Sequence, residues 1–193
     1  MKQAKRHPLI FGTMILTATG LITRVIGFFY RIYLSRLFGE EGMGIYQLLS
    51  PALSLSFSLT AAGYQTAISK YVAADSAKHP SGNLKPLLAG ISITLPLSLV
   101  TNAILFFSAD PIGIFLLKDH RTVPMLRILS FSVPFAALHA CINGYFYGKK
   151  KASVPALTQL LEQLARVSCV FLVTGADLAE GRTPSINAAV LGL

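Results

Sequence analysis

Residues 9–38 read LIFGTMILTATGLITRVIGFFYRIYLSRLF. A helix of this length, rising ~1.5 Å per residue, exceeds the ~30 Å hydrocarbon core of a bilayer. The stretch therefore predicts a spanning helix, but not a simple lipid-facing anchor. Thr13, Thr17, Gly20, Arg24, Gly27 and Arg31 follow one another at alternating steps of four and three, which keeps them on one helical face. The rest of the surface, with Leu16, Leu21, Val25, Ile26, Phe28 and Phe29, is apolar. Small residues allow close helix approach in lipid, so Gly20 and Gly27 read as packing positions. The arginines ask for more. Arg24 lies roughly 22 Å from Leu9 and past the bilayer centre, whereas Arg31, about 33 Å along, can snorkel to the far interface. An arginine at mid-membrane costs about 2.5–3.5 kcal/mol on insertion scales and faces a bundle interior or a wet cavity. Arg24 is read either as lining a functional cavity or as a structural ion-pair partner, and Arg31 stands open between the two.

Working outward, four more apolar segments are long enough to cross: 44–72, 87–108, 123–148 and 154–175. A sixth begins at 185 and stops at 193. The expectation is an all-α integral membrane chain with five complete spans and the start of a sixth, a truncated N-terminal piece of a larger bundle. Pro51, Pro96 and Pro134 fall inside spans, where neighbouring groups can satisfy the freed carbonyls. Pro80-Ser81-Gly82-Asn83 is a turn signal. Residues 110–120 read as a short amphipathic piece along the outer interface.

Charge sets the expected orientation. Lys2, Lys5 and Arg6, then Lys70, Lys78 and Lys85, then Lys149, Lys150 and Lys151 fall in alternate breaks. The intervening breaks, at Glu40-Glu41, 110–121 and 177–182, are acidic or mixed. Lys and Arg concentrate in cytoplasmic loops, so the N-terminus is placed in the cytoplasm and the chain in the plasma membrane, with an uncleaved first helix. A net charge of +9 would suit a nucleic-acid binder. Here the positive residues punctuate apolar spans, and with 53% hydrophobic and 13% charged residues the partner is the lipid bilayer. No nucleic acid is expected. Cys141 and Cys169 lie within apolar runs and read as packing residues. No phosphate loop, HExxH, GxSxG or cysteine–histidine metal spacing occurs, so the sequence calls for no enzyme, cofactor or metal.

A second polar cluster occupies the fifth span: Gln159, Glu162, Gln163 and Arg166. Glu162 and Arg166 stand four apart in the favourable order for a pair on one helix. Arg166 lies roughly 18 Å from Val154, a depth comparable with Arg24. The cluster reads as a self-neutralising pair or as a second cavity wall. Gln47, Ser50, Ser54, Ser58, Ala61 and Gln65 form a milder face assigned to packing. His139 and Asn143, four apart, read as a proton relay or, lacking an acidic partner in sequence, as a satisfied bundle pair.

The stretches Thr23-Arg24-Val25-Ile26-Gly27-Phe28 and Leu37-Phe38-Gly39-Glu40-Glu41-Gly42-Met43-Gly44-Ile45-Tyr46 resemble the stage V sporulation protein B family. Ala67-Ile68-Ser69-Lys70, Gly144-Tyr145-Phe146-Tyr147-Gly148-Lys149 and Leu161-Glu162-Gln163-Leu164-Ala165-Arg166 are similar to the same family in the same order. It belongs to the superfamily of multidrug, oligosaccharidyl-lipid and polysaccharide exporters, which includes the MurJ/MviN lipid II flippases. The resemblance implies a MATE-like two-lobe bundle around a central cavity, of which this chain supplies most of the first lobe. It implies alternating-access export of lipid-linked saccharide pyrophosphates for cell wall or spore envelope, possible partners being cell-envelope synthesis proteins. It also places Arg24 where lipid II flippases carry a required arginine. Tyr30 stands where they have a second one, with Arg31 one position off, and residues 53–58 lack their paired arginines. Those departures favour the sporulation or general polysaccharide branch. On this reading Arg24, Arg31, Arg166 and Glu162 are the candidate substrate-binding residues. The rivals are a drug/cation antiporter of the same fold and a membrane scaffold without transport.

Overall fold

Gly39 is the one glycine with a left-handed backbone (φ 69°) among the described residues, and it interrupts the first helix, α1 (Pro8–Leu48). The interruption reverses the chain. Tyr30 and Tyr46 belong to one apolar cluster with Leu34, Met43 and Val170, yet sixteen further residues of straight helix would separate the two tyrosines by roughly 24 Å. The reversal falls between the expected first and second spans. This computed structural model describes residues 8–78 and 84–179. The expected start of a sixth span at 185–193, the Lys2-Lys5-Arg6 block and the turn at 80–83 lie outside them.

Beyond the reversal the chain runs through α2 (Ser50–Phe57), a π-helical turn (Ser58–Ala62) and α3 (Gly63–Lys78). It then continues as α4 (Lys85–Phe107), a single turn α5 (Ala109–Pro111), a second π-helical turn (Ile112–Leu116), α6 (Thr122–Ser130), α7 (Ser132–Gly148) and α8 (Ser153–Ala179). Three stretches are long and apolar enough to cross a membrane: residues 12–76, Lys85–Phe107 and Ser153–Ala176. The first, at 65 residues, is roughly 100 Å of helix and carries the reversal. The expected fourth span is bent by 40° at Phe131, which divides it into α6 and α7. Large side chains such as Phe28, Phe29, Phe107, Phe135 and Phe171 stand exposed on the outer surface, as a chain solvated by lipid requires.

Two helix groups build the body. α7 packs closely against α3 and α4, and α1 packs against α8. Ile68, Val72, Cys141 and Tyr145 fill part of the first interface, and glycines let the helix backbones approach closely beside them. A Cβ at Gly144 would sit 2.6 Å from the Gln65 carbonyl oxygen, and one at Gly148 would sit 2.6 Å from that of Ser69. The hydroxyls of Ser54 and Thr60 bond carbonyls one turn back on their own helix, so they need no partner elsewhere. Tyr33 and Thr174 share a 2.7 Å hydrogen bond that ties α1 to α8.

The two ends differ in charge as the loop pattern implied. A Cβ at Gly12 would touch Ala152, and Gly148 meets Ser69 and Val72, so the start of α1, the end of α3 and the Lys149–Lys151 connection share one end. Lys150 there adopts φ 58°, with Lys150 N–H bonded to Tyr147 and Lys151 N–H to Phe146. That is a Schellman termination of α7 with lysine in the place glycine usually takes, at a cost of about 1–2 kcal/mol.

At the opposite end a clasp closes over the reversal. Arg121 Nη2 donates to Glu41 at 2.7 Å, and its Nε and backbone N–H donate to Asp119 at 3.2 and 2.9 Å. Arg127 donates to Asp110 at 2.6 Å and lies over the Phe106 ring. The side-chain hydrogen bond from Arg121, reinforced by its backbone N–H, holds the Asp119 carboxyl below its usual range and the Arg121 guanidinium above its own. A depressed carboxyl pKa contributes stability above the unfolded value near 3.9 and loses it as pH falls through the folded value. Carbon-13 titration of Asp119 should therefore give a midpoint below that of an ordinary aspartate, returned to the usual range by Arg121→Gln; an ordinary midpoint in the unaltered protein would rule out the clasp.

Candidate functional site

Part of the stripe on α1 opens onto space between the helices. A Cβ at Gly20 would meet nothing within 4 Å, and one at Gly27 would only touch the Gln163 amide at 3.4 Å. Gly20 has open space beside it, and Gly27 lies against the Gln163 side chain of α8 and lines a space between the helices. The space is a cleft of about 260 Å³ between α1, the returning arm after Gly39 and α8, with room for several waters at ~30 Å³ each.

Three guanidiniums face it. Arg24 and Arg31 come from α1 and Arg166 from α8. Thr23, Gln159 and Gln163 add uncharged polar groups, and no lining residue is acidic. Arg24 and Arg31 are solvent-accessible, and Arg166 is partly buried. Seven positions separate Arg24 from Arg31, two helical turns on one face, so both point the same way.

Two residues at the floor escaped the sequence reading. Tyr30 and Tyr46 line the cleft beside Leu34 and Met43, and Arg166 acts electrostatically on both phenols. Tyr30 is only 9% exposed, and its hydroxyl has no hydrogen-bond partner among the described residues. An unsatisfied buried hydroxyl costs about 1–3 kcal/mol. Tyr30 and Arg31 both reach the same space. The departure of one position noted in the sequence therefore keeps a cation at the site and adds a phenol. Tyr30 could have been flagged as a polar residue flanking the stripe; Tyr46 could not, because its place depends on the reversal at Gly39.

Glu162 is the candidate that the structure sets apart. It is not among the cleft's lining residues. Its Oε1 lies 3.2 Å from Nε2 of His139 on α7, which supplies the acidic partner that His139 lacks in its own stretch of sequence. Gln159, Gln163 and Arg166 follow one helical face into the cleft, and Glu162 borders that face, about 40° round the helix from Arg166 and about 100° from Gln163.

A family model described as polysaccharide biosynthesis protein matches residues 9–178. Stage V sporulation protein B of Bacillus subtilis (strain 168) is 37% identical over 177 residues, covering 91% of this chain and 34% of that protein. Lipid II flippase MurJ of the same organism is 27% identical, covering 88% of this chain and 32% of its own length. The membrane protein YabM, also from that strain, is 27% identical over 85% of this chain. The chain thus spans about a third of the length of these curated relatives. No solved structure matches it.

Proposed function

From the premise that this multi-pass membrane chain belongs to the polysaccharide biosynthesis protein family, we propose that it forms the N-terminal part of a flippase for lipid-linked saccharides. The observation that carries this reading is a cleft lined by Arg24, Arg31 and Arg166 and by no acidic residue. Like charges held together among apolar helices are stable only with water or a counter-anion between them. A guanidinium presents a planar fork that pairs bidentately with phosphate oxygens. The pyrophosphate that links a saccharide to its lipid carrier offers several such oxygens. The Gln159 and Gln163 side chains line the same cleft and can donate to the same group. The lipid tail would remain in the bilayer while the headgroup passes through the cleft. Alternating access, in which this lobe rocks against a second one, follows the family's expected design, and the lysine-rich end is assigned to the cytoplasm.

A drug/cation antiporter needs carboxylates facing its cavity, and this cleft has none. A scaffold without transport would have no use for an orphaned hydroxyl at the floor of a cationic cleft. The test is transport by the full-length protein in liposomes. A fluorescent lipid-pyrophosphoryl disaccharide should become accessible on the far leaflet, and cationic dyes should not be exchanged. Dye exchange without glycan movement would replace this reading with the antiporter, and neither activity would leave the scaffold.

A further inference from the structure

Nε2 of His139 faces two partners at once. Oε1 of Glu162, on the neighbouring helix, lies 3.2 Å away, and the side-chain amide of Asn143, one turn along α7, lies at 2.9 Å. A ring nitrogen bearing hydrogen donates, and a bare one accepts. The Glu162 carboxylate requires a donor, while the Asn143 N–H requires an acceptor, so the ring's protonation decides which bond is made and which way the amide turns. With the imidazole fully protonated, Nε2–H donates to Glu162 and the pair is neutral. Loss of that proton to water leaves the pair with a net charge of −1. Both side chains are partly exposed, at 35% and 51%.

The charge does not stay local. Arg166 lies four residues beyond Glu162 on α8, the spacing at which an acid attracts a following base, and Arg166 lines the cationic cleft. We propose that His139 and Glu162 form a proton-binding site that sets how strongly the cleft holds an oxyanion. The protonated ring engages Glu162 and weakens its pull on Arg166. Deprotonation frees the carboxylate to draw Arg166 toward itself and offset its charge. Proton and anion then favour one another, because the coupling is reciprocal. This inference rests on the cleft binding an oxyanion as proposed above.

Other ionisable groups on the surrounding elements are differently placed. α7 packs against α2, α3, α4, α6, α8 and the first π-helical turn. α2 and that turn carry no ionisable side chain, α4 carries only Lys85, and α6 only Arg127. On α3, Lys70, Asp75 and Lys78 lie toward the lysine-rich end, and Tyr64 and Tyr71 are uncharged at neutral pH. α8 adds Cys169 and, fifteen residues beyond Glu162, Asp177, and α7 itself adds Cys141, Tyr145 and Tyr147. Glu162 is thus the one carboxylate that this set places beside His139.

The test uses full-length protein in detergent with inorganic pyrophosphate as probe, at pH 5.5 and 8.5. Because pyrophosphate itself titrates, each ratio of affinities is read against His139→Gln, which keeps a polar side chain at the position but cannot titrate. The unaltered protein should lose at least about fivefold more affinity across this range than the variant does, the lower end of ordinary coupling. Glu162→Gln should behave as His139→Gln. Equal ratios in all three proteins would overturn the coupling while leaving the cleft intact as an anion site. Absence of pyrophosphate binding at both pH values would overturn the cleft reading and the coupling with it. Nitrogen-15 spectra of His139, assigned by difference from His139→Gln, decide the proton site independently of any ligand. The ring should change protonation between the two pH values, and a ring fixed in one state would overturn the site.

Discussion

Arg24→Ala in the full-length protein is expected to reduce glycan export at least tenfold while the protein remains inserted and folded. A hydrogen bond to a charged group contributes about 1.5–3 kcal/mol, which corresponds to roughly 10- to 150-fold in affinity or rate. The upper end applies if Arg24 grips the diphosphate with both arms of its fork. Little structural loss should accompany the change, because Arg24 is solvent-accessible in the cleft and alanine is easier than arginine to place at this depth. Arg24→Lys separates charge from shape: it keeps the cation, loses the planar fork and should fall between the two. Undiminished export by Arg24→Ala, at equal protein in the membrane, would remove this residue from the mechanism.

The largest expected effect on stability lies elsewhere, at Gly144. Its missing Cβ would come within 2.6 Å of the Gln65 carbonyl oxygen and 3.2 Å of the Gln65 Cα. Those are backbone atoms of α3, so relief requires moving the helices apart instead of turning a side chain. Overpacking of this kind costs about 1–3 kcal/mol, partly offset by the ~1 kcal/mol gain in helix propensity from glycine to alanine. Gly144→Leu keeps most of that offset but presses a far larger side chain against the α3 backbone, and should cut the yield of monodisperse protein sharply, with Gly144→Ala intermediate. Gly20→Ala is the control. With nothing within 4 Å of its Cβ position, it should match or slightly exceed the unaltered protein in thermal unfolding midpoint. A Gly144→Leu protein as stable as the original would show that α3 and α7 do not approach this closely.

These glycines mark the boundary between what the chain announces and what it conceals. The sequence alone determined that the chain is helical and apolar enough to cross a membrane, because that depends on composition over local windows of about 20 residues. It also determined that Arg24 and Arg31 share one face of α1, because a period of 3.6 residues fixes which side chains share a helical face. It could not tell the glycines of an open cleft from those of a tight contact. Gly20 and Gly27 lie in a stripe that suggested packing, while Gly144 and Gly148 make the close approach. A glycine's role depends on what lies opposite it, and the opposite residue belongs to another helix. Tertiary structure alone decided that Glu162 turns to His139 and away from the cleft, because helical spacing constrains neighbours on one helix and says nothing of partners across an interface. It alone brought Tyr46 back beside Tyr30, since a single left-handed residue at Gly39 redirects every position that follows.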